Sequence, residues 1–266
     1  MIKYIASDMD GTLLDSQKRL PGEFESVVRA LKARDVRFII ASGRQVATLR
    51  RDLGELSQDM ILFAENGTVV MEGNERLFAT PMEKADVRRV LEKACSMEGV
   101  HPVLCRPNVA IIGENAPEEF RRNVEMYYAS SQIVPDLLAV CDQFDDVCKV
   151  ALYDEGDAEH HEYPVLKAQF ESSLSVLLSG YSWVDLMKPG VHKGSAMKRF
   201  QELKGVQPEA CMAFGDYLND KEMLEAVGES YAMENGLDEV KAVCKYIAPS
   251  NDENGVMRVI KERFSL

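Results

Sequence analysis

The chain lacks the cysteine patterns that hold zinc or cross-link small secreted domains. None of its six cysteines belongs to a C-x-x-C pair, and several lie inside apolar runs, as Cys211 does in residues 210–214. This spacing favours reduced, buried thiols over disulfides or zinc ligands, and reduced thiols are typical of the cytoplasm. We therefore expect a cytoplasmic protein.

Long apolar runs are also absent, and basic residues are outnumbered. No stretch approaches a membrane span in length, and Asp8 and Asp10 interrupt the first apolar segment, which argues against a secretory signal there. The 44 acidic residues exceed the 31 basic ones and give a formal net charge of −13. This surplus argues against nucleic acid or an anionic membrane as the main partner.

The apolar content suffices for one large domain or two modest ones, since 46% of the 266 residues are hydrophobic. Apolar segments at 2–7, 36–41 and 60–64 alternate with helix-like spacing. This alternation predicts parallel strands joined by right-handed crossovers. The same pattern returns after Lys188.

Between these two stretches the pattern changes to helices and hairpins in the order αββαβαββ. One of these helices is expected at 158–171, where Pro164 signals a break. The sequence therefore predicts an α/β protein. A Rossmann-like parallel-sheet core is formed by residues 1–81 and 188–266, and a second, α+β domain is inserted at 82–187.

Polar side chains follow three of the predicted parallel strands. Asp8 and Asp10 come after the first strand, Ser42 after the second, and Asp216 after the strand at 210–214. Because the carboxyl ends of parallel strands lie along one edge of a sheet, these residues should meet. Carboxylates so close together repel each other unless a positive charge lies between them, and their oxygens suit Mg²⁺. The sequence thus predicts a magnesium site.

The remaining residues at this edge complete a phosphate site. Lys193 precedes a predicted helix, whose start favours anions, and Asn219 and Asp220 follow Asp216. This set fits phosphoryl transfer through an aspartyl intermediate, in which one carboxylate of the first pair attacks phosphorus. The other carboxylate moves protons, which favours phosphate esters over halides because a halide leaves without a proton.

Each element taken alone has a plain structural explanation. Asp10-Gly11 and Ser42-Gly43 are common turn dipeptides, Lys193 could be a solvated charge, and Asn219 could cap a helix. Arg106, on a predicted hairpin turn, could face the site or the solvent. The prediction of a site therefore depends on the convergence of several motifs.

The chain resembles the haloacid dehalogenase (HAD) superfamily. Four motifs carry the resemblance: Asp8-x-Asp10-Gly11-Thr12-Leu13, Ser42-Gly43-Arg44, Lys193-Gly194 and Gly215-Asp216-x-x-Asn219-Asp220. The layout is similar to that of the Cof-type phosphatases, which insert an α+β cap domain of type IIB between the second and third motifs. The resemblance spans essentially the whole chain.

The resemblance implies a role for each carboxylate. Asp8 would be the nucleophile and a Mg²⁺ ligand, and Asp10 would be the acid/base and would bind Mg²⁺ through its backbone carbonyl. Asp216 would be the third protein ligand of the metal. Asp220 would orient Lys193 or a metal-bound water.

The resemblance also implies the phosphate contacts, which would come from Ser42, the Gly43 backbone, Lys193 and Asn219. We expect a Mg²⁺-dependent phosphatase of small phosphorylated metabolites, with sugar phosphates as the leading class. A phosphomutase on the same scaffold is one alternative. A phosphate-binding protein without turnover is another, although loss of a carboxylate would be its signature. The oligomeric state stays open.

Overall fold

The computed structural model describes residues 1–266, which form two compact units. The first unit consists of Met1–Gly43, Leu53–Leu77 and His192–Leu266. The second consists of Arg44–Asp52 and Phe78–Val191. The predicted boundaries of the inserted domain, 82–187, stay a prediction.

The strands in chain order are β1 (Tyr4–Ser7), β2 (Arg37–Ala41), β3 (Ile61–Ala64), β4 (Val69–Glu72), β5 (Glu75–Ala79), β6 (Val100–Arg106), β7 (Val109–Gly113), β8 (Ser131–Val134), β9 (Lys149–Asp154), β10 (Ser175–Gly180), β11 (Trp183–Met187), β12 (Cys211–Gly215), β13 (Glu229–Met233) and β14 (Tyr246–Ala248). The α-helices are α1 (Phe24–Lys32), α2 (Val46–Leu53), α3 (Lys84–Cys95), α4 (Glu118–Tyr127), α5 (Leu137–Val140), α6 (Glu162–Phe170), α7 (Lys193–Lys204), α8 (Lys221–Glu225), α9 (Asp238–Lys241) and α10 (Gly255–Phe264).

The first unit is built on an eight-stranded sheet in the order β14-β13-β12-β1-β2-β3-β4-β5. β1 lies at its centre and pairs in parallel with both neighbours, so that Ala6 is opposite Ala213 of β12 and Ile39 of β2. β3 and β12 are buried along their whole length, as strands of a sheet covered on both faces must be. The carboxyl ends of β1, β2 and β12 therefore share one edge.

The helices of this unit follow from local sequence. α1 buries Phe24, Val27, Val28 and Leu31, whose spacing places them on one helical face. α7 begins after His192, whose ring nitrogen accepts the Ser195 N–H, and ends at Gly205, which adopts the left-handed conformation (φ 63°). These two ends fix where α7 begins, and with it the position of Lys193.

The second unit contains a six-stranded sheet in the order β10-β11-β9-β6-β7-β8. All its neighbouring strands are antiparallel except β7 and β8. One face packs against α3, α5 and α6, and the other packs Trp183 against Phe120 and Val124 of α4. The predicted fold class, a parallel-sheet α/β core with an inserted α+β domain, is confirmed.

The predicted element order of the inserted region was wrong in one place, because it missed β8 and α5. Three of the four β8 residues are exposed, so the strand has no apolar alternation to reveal it, and α5 is only four residues long. Pro164 does not break α6 but lies in its first turn, where a missing N–H costs little. The helix accordingly begins at Glu162 rather than at residue 158.

All six cysteines are free thiols, but the expectation that they are all buried was wrong, since Cys95 is exposed and Cys244 is half-buried. No helix combines the length and the apolar character that crossing a membrane requires.

Candidate active site

Asp8 is held at the carboxyl end of the central strand. Its backbone N–H donates to the Phe214 carbonyl of β12 at 3.1 Å, so the pairing of the two strands extends to Asp8. The residue is only 8% exposed. The main chain thus delivers a largely desolvated carboxylate to the sheet edge.

Lys193 lies beside Asp8 and is completely buried. Its Nζ donates to Asp8 Oδ1 at 2.6 Å and to Asp220 Oδ1 at 2.7 Å. Burial alone would lower the pKa of Lys193, but the carboxylates of Asp220 and Asp8 outweigh it and hold that pKa above its usual value. The ammonium therefore keeps its charge inside the protein.

Asp220 joins Lys193 to the loop that follows β12. Its Oδ2 accepts the backbone N–H groups of Asp216 at 3.1 Å and Tyr217 at 3.2 Å. A side chain at Gly215 would collide with it, because a Cβ there would lie 2.5 Å from the Asp220 Cβ. The buried Asp220 carboxylate thus holds both the Lys193 ammonium and the backbone of the loop in place.

Asp216 is fixed from the loop that follows β1. Its Oδ1 accepts the Thr12 hydroxyl at 2.6 Å. Gly11 has φ 84°, and a Cβ on it would lie 2.4 Å from Asp216 Oδ2. A glycine is therefore required here for two reasons, backbone conformation and space.

The arrangement concentrates negative charge. Oxygens of Asp8, Asp216 and Asp220 lie within 4.8 Å of one another. Burial raises the pKa of Asp8 to about 7, although Lys193 opposes this, and burial also raises the pKa of Asp216 to about 6, against the Thr12 hydrogen bond. Three carboxylates around one ammonium leave a deficit of positive charge. A set of oxygen donors with this deficit fits a hard divalent cation.

Asp10 is not one of the clustered carboxylates. Its side chain is 40% exposed, and its Oδ1 accepts the Lys18 ammonium at 2.8 Å. Asn219, on the loop that contains Asp216 and Asp220, is exposed. The predicted set thus divides into a buried group and a more exposed one.

Ser42 and Gly43 lie at the carboxyl end of β2, next to β1. Ser42 is buried, and its backbone N–H donates to the Phe63 carbonyl at 2.8 Å. A Cβ on Gly43 would lie 3.3 Å from Asn66 Oδ1, which leaves little room for a side chain. Both residues therefore end a strand that adjoins the one that carries Asp8.

Sequence reasoning assigned no role to the residues that fix the loop after Asp10. Asn235 donates to the Gly11 carbonyl at 2.8 Å, and Asn251 donates to the Leu14 carbonyl at 2.9 Å. Asp252 accepts the Ser16 N–H at 2.8 Å. A signal for part of this did exist, because Asn251-Asp252 follows the apolar segment of β14, as the motif residues follow their own strands.

Arg106, in the second unit, pairs with a neighbour of that unit. Its Nε donates to Asp146 Oδ1 at 2.5 Å, and its guanidinium lies 4.6 Å from the centre of the Phe144 ring. These contacts account for the Arg106 side chain without a ligand.

Comparison with known proteins gives consistent matches along the whole chain. The family model of the haloacid dehalogenase-like hydrolases matches residues 5–260. The chain is 33% identical over 264 residues to 5-amino-6-(5-phospho-D-ribitylamino)uracil phosphatase YbjI of Escherichia coli (strain K12), with 97% of this chain and 95% of the relative covered.

Solved structures agree with this match. The crystal structure of SMU.1108c from Streptococcus mutans UA159 superposes with a TM-score of 0.85 at 26% identity, and all of both chains is covered. The HAD subclass IIB sugar phosphatase BT4131 has a TM-score of 0.80 at 21% identity, with 99% of this chain and 100% of the other covered. At that identity the second likeness concerns the fold alone.

Proposed function

The chain belongs to the haloacid dehalogenase-like hydrolase family and is one of its phosphatases, and from this premise we propose that it hydrolyses phosphate esters of small metabolites, sugar phosphates foremost, with Mg²⁺. The observation that carries the proposal is the contact of the Lys193 ammonium with Asp8, 2.6 Å apart, inside a cluster of three carboxylates. A buried carboxylate beside a fixed positive charge is suited to attack an anionic phosphate.

Asp8 is the proposed nucleophile. As its oxygen bonds to phosphorus, the bond from phosphorus to the leaving oxygen breaks, and an aspartyl phosphate forms on Asp8. Asp10 donates a proton to the leaving oxygen and later takes one from the water that hydrolyses the intermediate. Lys193, the Ser42 hydroxyl and the backbone N–H of Gly43 hold the phosphoryl oxygens.

Mg²⁺ would be held by the carboxylates of Asp8 and Asp216 and by the Asp10 backbone carbonyl. Bound there, the ion supplies the positive charge that offsets repulsion between the carboxylates and the phosphate. Asn219 is the further phosphate contact that we propose. Asp220 keeps Lys193 in place, a role supported by their 2.7 Å contact.

The substrate class rests on both chemistry and relatedness. The acid/base role of Asp10 suits esters whose leaving group is an alkoxide, as in sugar phosphates. The name of the Escherichia coli relative includes a 5-phospho-D-ribityl group, a phosphorylated polyol chain. Together these support a small polyhydroxy phosphate as the substrate of this chain.

The test is phosphate release from p-nitrophenyl phosphate and from a panel of sugar phosphates, with Mg²⁺ and then with excess chelator. We expect release that requires the metal. Asp8→Asn should lower kcat by about 10⁴-fold or more, since it removes the nucleophile. Ser42→Ala should weaken activity but leave it measurable. Asp238→Asn, at a fully exposed position of the same unit, is the matched control.

Three results would contradict the proposal. If Asp8→Asn kept wild-type activity, the assignment of Asp8 as the nucleophile would be wrong. An isomeric sugar phosphate in place of inorganic phosphate would indicate a mutase. Binding of Mg²⁺ and vanadate without turnover of any panel member would indicate a binding protein.

A further inference from the structure

Lys18 lies outside the four motifs, in a tight turn that follows the Asp10 loop. The turn closes through the Asp15 N–H, which donates to the Arg19 carbonyl at 3.1 Å. Asp15 Oδ1 accepts the backbone N–H groups of Gln17 and Arg19, each at 2.9 Å. Local hydrogen bonds therefore fix the backbone of Lys18.

The backbone of Lys18 adopts a conformation that disfavours any side chain. Its φ is 62°, in the left-handed region where glycine is unstrained and lysine is not. Its side chain is 63% exposed, so burial does not compensate for this strain. What the side chain does provide is the contact between its ammonium and Asp10 Oδ1, 2.8 Å apart.

The segment between Asp10 and the turn is anchored as well. Asn235 and Asn251 bind the Gly11 and Leu14 carbonyls, and Asp252 binds the Ser16 N–H. Because the loop is held at these points, the base of the Lys18 side chain has a fixed position relative to Asp10. Contact with Asp10 therefore requires ordering of the lysine side chain only.

We infer that Lys18 is a positioning residue for Asp10: its ammonium holds the Asp10 carboxyl group in the orientation for proton transfer. This inference rests on the proposed function. In the first step the proton passes from Asp10 to the leaving oxygen as the bond between that oxygen and phosphorus breaks. In the second step Asp10 takes a proton from the attacking water. Lys18 itself touches neither phosphorus nor the leaving group.

This role has a kinetic signature that a structural role lacks. A sugar phosphate leaves as an alkoxide and needs the proton from Asp10, whereas p-nitrophenolate leaves readily without one. The ratio kcat/KM reports the steps up to departure of the leaving group. Loss of Lys18 should therefore lower kcat/KM for sugar phosphates and leave it nearly unchanged for p-nitrophenyl phosphate.

The experiment compares Lys18→Gly, Lys18→Gln and Lys18→Arg with the wild type. The alkyl substrate is the faster of ribose 5-phosphate and glucose 6-phosphate, and the aryl substrate is p-nitrophenyl phosphate. Because an exposed ion pair orients its partner only weakly, we expect Lys18→Gly and Lys18→Gln to lose about three- to fivefold in kcat/KM on the alkyl substrate. Lys18→Arg should restore most of it.

Folding is controlled separately. Lys18→Gly relieves the left-handed strain, so its Tm should not fall. Asp35→Gly is the matched control, because Asp35 is exposed and has φ 58°. It should leave kcat/KM unchanged on both the alkyl and the aryl substrate.

Each outcome decides the matter. If the wild type is an active phosphatase, an equal loss of kcat/KM on both substrates, or no loss on either, would overturn the inference about Lys18 alone. A wild type that releases no phosphate would overturn the proposed function, and the inference about Lys18 with it.

Discussion

Each unit buries a lysine beside an aspartate, but the two units balance the remaining negative charge in different ways. In the first unit, Lys193 contacts two carboxylates, and a third, Asp216, lies nearby. In the second unit, Lys149 Nζ contacts Asp185 Oδ2 at 3.1 Å, and both side chains are buried. The lysine alone does not neutralise the acidic groups around it in the first unit.

In the second unit, a bound proton neutralises the surplus carboxylate. Glu162 is completely buried and its carboxyl oxygens have no hydrogen-bond partner. Burial raises the pKa of Glu162 to about 8, and the nearby charges of Asp154 and Asp185 add to the effect, so the group is mostly neutral at pH 7. The first unit instead leaves Asp216 half-buried, where a metal can reach it. A proton thus balances the surplus carboxylate of the second unit, whereas the clustered oxygens of the first unit fit a divalent cation.

The largest expected effect is that of Lys193→Met. It leaves Asp8 and Asp220 buried without their ammonium, so the free energy of unfolding in chelator should fall by about 3–5 kcal/mol. Mg²⁺ should restore part of this stability, and phosphate release should be lost. Urea denaturation with and without Mg²⁺ measures the first two effects. Unchanged stability in chelator would contradict the account of the buried charge.

The matching variant in the second unit is Lys149→Met. It leaves one buried carboxylate, Asp185, without its ammonium, whereas Lys193→Met leaves two, so we expect a smaller loss of about 2–3 kcal/mol. The same denaturation experiment should show no recovery with Mg²⁺. If Mg²⁺ restored the stability of Lys149→Met as much as that of Lys193→Met, the proposed difference between the units would be wrong.

The one expected gain in stability comes from Glu162→Gln. Unfolded glutamate ionises near pH 4.5, whereas folded Glu162 does so near pH 8, so the folded state binds more protons between these values. Glu162 therefore makes the wild type lose stability as pH rises through this window, and the variant lacks this contribution. Between pH 4.5 and pH 8 the stability of the variant relative to the wild type should therefore rise by about 4 kcal/mol, with no gain near pH 4.5.

Urea denaturation at several pH values between 4.5 and 8 checks this prediction, with Glu159→Gln at a neighbouring exposed position as the control. A gain that does not depend on pH would mean that Glu162 is ionised in the folded protein.

Much of the architecture was predictable because it depends on local patterns. The apolar segments of β1, β2 and β12 predicted the parallel sheet, and the sheet edge in turn predicted that Asp8 and Asp216 would meet. The fold class and the family are both confirmed. The predicted roles of the site residues stay predictions.

The remainder depends on tertiary contacts that leave no periodic signal. Lys18 was missed because its turn conformation and its contact with Asp10 appear only in three dimensions. Glu162 was missed because a glutamate at a helix start is typical of the surface. The edge strand β8 was missed because its exposed side chains show no alternation.

The central proposal is that the carboxylates around Lys193 bind a divalent cation. Thermal unfolding of the wild type and of Asp216→Asn, each with Mg²⁺ and with chelator at matched ionic strength, tests it most directly. The account predicts that Mg²⁺ raises the Tm of the wild type and raises that of Asp216→Asn much less. A wild-type Tm that is the same with Mg²⁺ and with chelator would contradict it.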